Sequence, residues 1–208
     1  TSHHEPLMRA HREWADAGWA ALRLSINLAS PSFLQENIAD RLDDAVRRAG
    51  VSPGQLLLEL TESLLMVDAK STIARLNRLR EKGFGLSLDD FGTGYSSLSY
   101  LKRFPLDELK IDRSFVIDVA LGGRDAAIAL SVIELGRRFG MQVVAEGVET
   151  RAQAGFLLAH GCPIQQGYLY SPAIAADDFA ALLRRGERFD RGLSAQTAER
   201  LSLAPPAP

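Results

Sequence analysis

Six segments of alternating or Leu-rich sequence each run out into a side chain that can bind a cation or move a proton. They end at Asn27, Glu59, the pair Asp89-Asp90, Lys110 with Asp112, Glu146 and Gln166, and each is followed by a helix-like stretch. In a barrel of alternating strands and helices the strand ends gather on one rim, so such a series reads as an active site. Carboxylates brought to one rim repel one another by about 4 kcal/mol per pair near 4 Å at a moderate effective dielectric. A hard divalent cation offsets that repulsion and also activates water. None of the histidines His3, His4, His11 and His160 pairs with another at a metal-ligand spacing beside an acidic motif. The donors are therefore oxygens, and the expected ion is Mg²⁺ or Mn²⁺ rather than zinc.

The pair Asp89-Asp90 is the strongest local signal. Adjacent carboxylates at a strand-to-loop junction can face different sides of a metal pair, one bridging ions about 3.5–4 Å apart while its neighbour binds the second. The plainer alternative is that one Asp caps the loop and the other is solvated. Asn27 offers a neutral carbonyl oxygen, or else caps the turn before Ser30. Glu59 lies in a Leu-rich strand, where an unpaired charge is costly, so it calls for a metal or a cationic partner. Lys110 and Asp112 occupy alternate positions and share a face. Beside a metal, Lys110 would orient water or offset phosphate charge; the alternative is a structural ion pair to a neighbouring strand. Glu146 is the candidate for both ligand and general base. Glu149 either joins it or caps the next helix with Thr150. The loop 92–97 has glycines that permit unusual backbone angles but lacks the Gly-Lys-Ser/Thr ending of a nucleotide cradle, so an active-site loop is expected there.

The positioning elements follow from periodicity and punctuation. A helix is expected over 4–17, stopped by Gly18. Strict alternation over 22–28 predicts a strand with Arg23, Ser25 and Asn27 on one face. Ser30 as cap and Pro31 at the first helical position predict one helix to about Ala49, closed by Gly50. A strand over 55–60 leads to a helix capped by Asp68 that carries Ile73, Leu76 and Leu79 on one face. A strand over 86–89, the loop, a short helix to about Arg103 and a strand over 106–112 come next. Gly122-Gly123 forms a hinge-like turn before a helix over 124–139, ended by Gly140. A strand over 141–146, a helix from Thr150 to Gly161, a short strand to Gln166 and a helix capped by Asp177 complete the pattern. The fold class is α/β with a parallel sheet, a TIM-type (β/α) barrel of which six of about eight strands are present, two being expected upstream of Thr1. An open sheet would scatter the strand ends along a line. Residues 1–185 form the domain, and 186–208 are a polar, Pro-rich tail expected to lack fixed structure.

With 24 basic against 26 acidic residues, no global field draws the chain to a nucleic acid polymer or a membrane surface, and any anionic ligand needs a local site. No apolar run is long enough to span a bilayer and no signal peptide is visible, so the domain is expected in the cytoplasm. Cys162 is the single cysteine, which excludes an internal disulfide; it reads as a small buried apolar residue.

Several ordered motifs resemble the EAL-domain cyclic-di-GMP phosphodiesterases. They are Leu58-Glu59-Leu60-Thr61-Glu62-Ser63, Leu88-Asp89-Asp90-Phe91-Gly92-Thr93-Gly94-Tyr95-Ser96-Ser97-Leu98, Leu109-Lys110-Ile111-Asp112-Arg113-Ser114-Phe115, Val143-Val144-Ala145-Glu146-Gly147-Val148-Glu149-Thr150 and Gln166-Gly167-Tyr168-Leu169. The resemblance covers roughly residues 10 to 185. It implies a TIM-type barrel with one reversed strand, and hydrolysis of cyclic-di-GMP to linear pGpG with two Mg²⁺ or Mn²⁺ ions. It assigns Asn27, Glu59 and Asp89 to the first metal, Asp89 and Asp90 to the second, and Glu146 to a metal-site ligand and general base. Lys110 would hold the catalytic water, Glu62 would anchor the glycine-serine loop, and Gln166 would lie close to the metals, with Asp112 and Glu149 around them. A homodimer and an upstream sensory or GGDEF-type domain are the implied partners. The Glu-Ala-Leu motif that names the family is not in this sequence, Pro163 stands where the family usually has Asp, and Ser171-Pro172-Ala173 replaces a basic-proline ending. The alternative function is a catalytically inactive receptor that binds cyclic-di-GMP without cleaving it. A third, an enolase-type barrel using Mg²⁺ and a Lys base, is disfavoured by the adjacent Asp pair.

Overall fold

The computed structural model describes residues 5–66, 68–92 and 101–185. The chain divides into two compact units, Thr1–Asp89 with Gly94–Glu108, and Asp90–Thr93 with Leu109–Pro208. The strand–helix alternation of a TIM-type barrel is what the chain forms, with six strands among the described residues.

In the first unit, helix α1 (Glu5–Trp14) ends short of the expected Ala17 and runs into a π-turn at Ala15–Trp19, inside which Gly18 has φ 100°. Strand β1 (Leu24–Asn27) keeps the alternation, with Ile26 buried and Ser25 and Asn27 exposed. It pairs in parallel with β2 (Leu56–Thr61), which pairs in parallel with β3 (Gly85–Phe91). In β2, Leu56, Leu57, Leu58 and Leu60 are all at most 3% exposed, so both faces are covered. That is why its sequence is a leucine run with no alternation. Each such side chain contributes about 1.5–3 kcal/mol by leaving water.

The single helix expected from Ser30 to Ala49 is two helices, α2 (Ser30–Phe33) and α3 (Ile38–Ala49). Phe33 and Ile38 are both buried. On one continuous helix, residues five apart point about 140° away from each other, so the chain must break for both to reach the core. Ser30 is the first residue of α2 and not its cap; Ala29 holds the cap position without a side-chain bond. Gly50, at φ 69°, closes α3 as expected. After α4 (Glu62–Met66), Asp68 caps α5 (Ala69–Glu81) by accepting the Ser71 N–H at 3.3 Å. Lys82, just past α5, bridges to Asp40 at 2.9 Å and Asp43 at 3.1 Å, tying α5 to α3.

Strand β4 (Glu108–Ile111) starts at the last residue of the first unit, and the second unit continues with α6 (Arg113–Val116). Gly122, at φ 80°, turns the chain into α7 (Gly123–Phe139), closed by Gly140. Strand β5 (Gln142–Ala145) packs so closely under α7 that a Cβ on Gly136 would sit 2.2 Å from Val143 Cγ2. Thr150 caps α8 (Arg151–Ala159) as expected, and Gln153 completes a reciprocal box with it. Strand β6 (Ile164–Gln165) is parallel to β5. Asp177 is not the cap of α9 (Ala176–Arg185) but lies inside its first turn, where a carboxylate still complements the helix dipole. Cys162 is fully buried, and burial pushes its thiol up to about 11, the inert state expected of it. No helix among the described residues is long and apolar enough to cross a membrane. The start of the first helix at His4, most of the loop 92–97 and the helix expected after it, and the tail 186–208 lie outside the described residues.

Candidate active site

In the first unit the register brings the oxygen donors together. Asn27 and Glu59 are direct partners at the ends of β1 and β2, and the Leu28 N–H donates to the Glu59 carbonyl at 2.9 Å. Neighbouring strands lie about 4.8 Å apart, so the two side chains are adjacent. Glu59 is 8% exposed although ionisable. Across the next pair, Glu59 faces Ser87 and Thr61 faces Asp89. The two-residue period places Ser87 and Asp89 on the face that carries Glu59, with Asp89 about 6.6 Å further along the strand. Glu62, which opens α4, is also buried.

In the second unit, Lys110 is 5% exposed and its Nζ lies 2.6 Å from Glu146 Oε1. The ion pair to a neighbouring strand, one of the readings left open for Lys110, is therefore made, and its partner is the candidate base. Glu146 directly follows β5, and its N–H still donates to the Ile111 carbonyl of β4 at 3.1 Å. Asp90 has φ 56°, the single positive value at a non-glycine among the described residues. Aspartate tolerates this left-handed conformation better than most residues, while a β-branched side chain strains it by about 1–2 kcal/mol. Asp90 therefore departs from regular strand geometry near the end of β3. Asp90→Asn is expected to unfold in urea within about 0.5 kcal/mol of the parent. Asp90→Val should lose about 1–2 kcal/mol. Equal stability of the two variants would remove backbone conformation as the reason for an Asp here.

Two of the outer candidates hold protein groups with their carboxylates. Asp112 accepts the Ser114 N–H at 3.0 Å and caps α6. Glu149 does not cap α8; its carboxylate holds Arg113 Nη2 at 2.7 Å, and the cap is made by Thr150 and Gln153. Gln166 donates its backbone N–H to the Ala145 carbonyl at 2.8 Å and accepts from Val148 N–H at 3.0 Å. A depression of about 250 Å³ is lined by Arg113, Glu146, Glu149, Gln166 and Tyr168. Three polar residues near the candidates were given no role by sequence reasoning: Arg113, Ser87 and Glu108. Glu108 precedes Lys110 and Asp112 at the same two-residue spacing, a signal the sequence does hold.

The donor set fits a hard divalent ion. Asn27, Glu59 and Asp89 each offer an oxygen donor on adjoining strands, and the buried Glu59 carboxylate gains from a cation. Among the described residues no group of three or more His, Cys, Asp or Glu could hold a metal ion.

The EAL domain family model matches residues 5–173. The bifunctional diguanylate cyclase/cyclic di-GMP phosphodiesterase MucR of Pseudomonas aeruginosa is 43% identical over 173 residues, 83% of this chain and 25% of MucR. The chain thus spans about a quarter of the length of that relative. The solved structure of the PaMucR phosphodiesterase in complex with c-di-GMP superposes with a TM-score of 0.81 at 42% identity, covering 84% of this chain and 71% of that one. A manganese and c-di-GMP complex of Klebsiella pneumoniae BlrP1 matches with a TM-score of 0.69 at 35% identity, over 82% of this chain and 44% of BlrP1.

Proposed function

The chain belongs to the EAL-domain family, and from that premise we propose that it is a metal-dependent phosphodiesterase that opens cyclic-di-GMP to linear pGpG in bacterial second-messenger signalling. The observation that carries the reading is the 2.6 Å contact between Lys110 and Glu146, a cation and a base held together at adjoining strand ends. Asn27, Glu59, Asp89, Asp90 and Glu146 would hold two Mg²⁺ or Mn²⁺ ions. Bound there, the ions would supply Lewis acidity and bring a water closer to ionisation at neutral pH.

Glu146 accepts the proton of the attacking water, and Lys110, already at hydrogen-bond distance from it, orients that water and offsets charge growing on the phosphate. One phosphorus–oxygen bond forms as one ester bond breaks, and the departing ribose oxygen takes up a proton. The near-balance of charge over the whole chain means that the dianionic substrate depends on the local cations for binding. Glu62 anchors the glycine-serine loop, and Gln166, Asp112 and Glu149 surround the reacting groups. A second copy of the chain and an upstream sensory or GGDEF-type domain are the proposed partners, and the cytoplasm the proposed compartment.

The test is incubation of the full chain with cyclic-di-GMP and Mn²⁺, followed by chromatography of the products. Linear pGpG is expected. Substrate that is bound but stays cyclic would replace the enzyme with a receptor that binds without cleaving. Calcium is expected to support turnover about 100-fold slower than manganese or worse, because its longer and looser coordination misplaces water. Equal initial rates at saturating concentrations of either ion would contradict the assigned role of the metal.

A further inference from the structure

One buried polar arrangement in the first unit lies outside the roles assigned above. Ser87 is 0% exposed and donates its hydroxyl proton to Glu108 Oε1 at 2.9 Å, and Glu108 is itself only 5% exposed. Ser87 is also the register partner of Glu59, which is the partner of Asn27. Asn27, Glu59, Ser87 and Glu108 therefore form a polar layer crossing four consecutive strands, with a carboxylate on either side of the serine. A serine hydroxyl has one proton. Because Glu108 takes it, Ser87 has no hydroxyl proton left to damp the charge of Glu59.

We propose that Glu108 is a positioning residue of the metal site, acting through Ser87 on Glu59 to raise the affinity for a divalent cation. The inference rests on the metal-dependent reading above. Glu108 adds a second buried negative charge to the layer and directs the Ser87 proton away from Glu59. Both effects increase the gain when a dication arrives, since interactions between charges at buried positions are weakly screened. A carboxylate serving packing alone would contribute to the stability of the metal-free chain and leave cation affinity untouched.

The two roles give opposite results in one experiment. The metal-free full chain is titrated with Mn²⁺ by calorimetry, and its melting is followed in chelator, for the parent, Glu108→Gln and Ser87→Ala. Glu108→Gln is expected to bind Mn²⁺ about tenfold more weakly or worse, while melting in chelator no lower than the parent. Ser87→Ala is expected to weaken binding by a smaller factor, about threefold, since Glu108 keeps its charge but loses the hydrogen bond that holds it in the polar layer beside Glu59. Unchanged affinity in Glu108→Gln overturns the proposal. If that variant fails to fold, unchanged affinity in Ser87→Ala overturns it instead. A parent chain that binds no Mn²⁺ at all overturns the metal-dependent reading itself, a result distinct from a parent that binds and variants that bind equally well.

Discussion

Glu146→Gln is expected to slow ring opening by about 10³-fold, the range lost when a positioned general base is removed. Glutamine keeps the size of the side chain and can still accept a hydrogen bond from Lys110, so orientation of the lysine survives while proton transfer does not. The change has a second consequence. Lys110 is 5% exposed and its partner Glu146 is 20% exposed, so the variant removes one charged partner from an almost buried ammonium. Removing one member of a buried pair costs about 3–5 kcal/mol, and the partial exposure of Glu146 lowers that toward about 2 kcal/mol. The double variant Lys110→Met/Glu146→Gln should therefore recover stability in urea and recover no activity. A single variant with at least a tenth of the parental rate would remove Glu146 as the base. A double variant no more stable than the single would remove the ion pair as a source of stability.

Gly167→Ala is expected to have the largest effect on the fold around the candidate site. A Cβ at this position would lie 2.2 Å from the carbonyl oxygen and 2.3 Å from the nitrogen of Val148. Both obstacles are backbone, and they belong to the segment bonded to Gln166 and Leu169 on either side of the glycine. No rotamer change relieves the overlap, so the segment 166–169 must separate from Val148. The loss should reach about 3 kcal/mol or more, beyond ordinary overpacking, where side chains can shift. Hydrogen exchange of the Val148 and Leu169 amides provides the local reading: both should exchange far faster in the variant. Unchanged protection there, with a melting curve like that of the parent, would show that the close approach does not exist in solution.

Much of the arrangement was legible in the sequence because the strands carry it locally. The alternation Leu24-Ser25-Ile26-Asn27 needs no knowledge of the rest of the chain, and it places Asn27 on the face opposite the buried Ile26. The leucine run before Glu59 marks a strand covered on both sides, which makes the carboxylate at its end conspicuous. Glycines in left-handed conformations, Gly50 and Gly140, closed helices where expected. What stayed hidden depends on contacts distant in sequence. The break between Phe33 and Ile38 follows from two side chains needing one core, and no local signal prescribes it. The contact of Glu149 with Arg113 joins residues that no local pattern links. Glu108 was overlooked because one more charged residue beside Lys110 and Asp112 looks like a solvated surface, and only the fold buries it against Ser87.

The lone thiol gives this molecule an internal clock. Cys162 is enclosed with its proton retained far above neutral pH, and its sulfur rests 3.6 Å from the Val143 carbonyl oxygen. A thiol reagent can react only after the wall around β5 swings aside, so at reagent concentrations where reaction outpaces reclosure the labelling rate counts such openings. No reporter group has to be engineered into the chain to time how often its second half breathes.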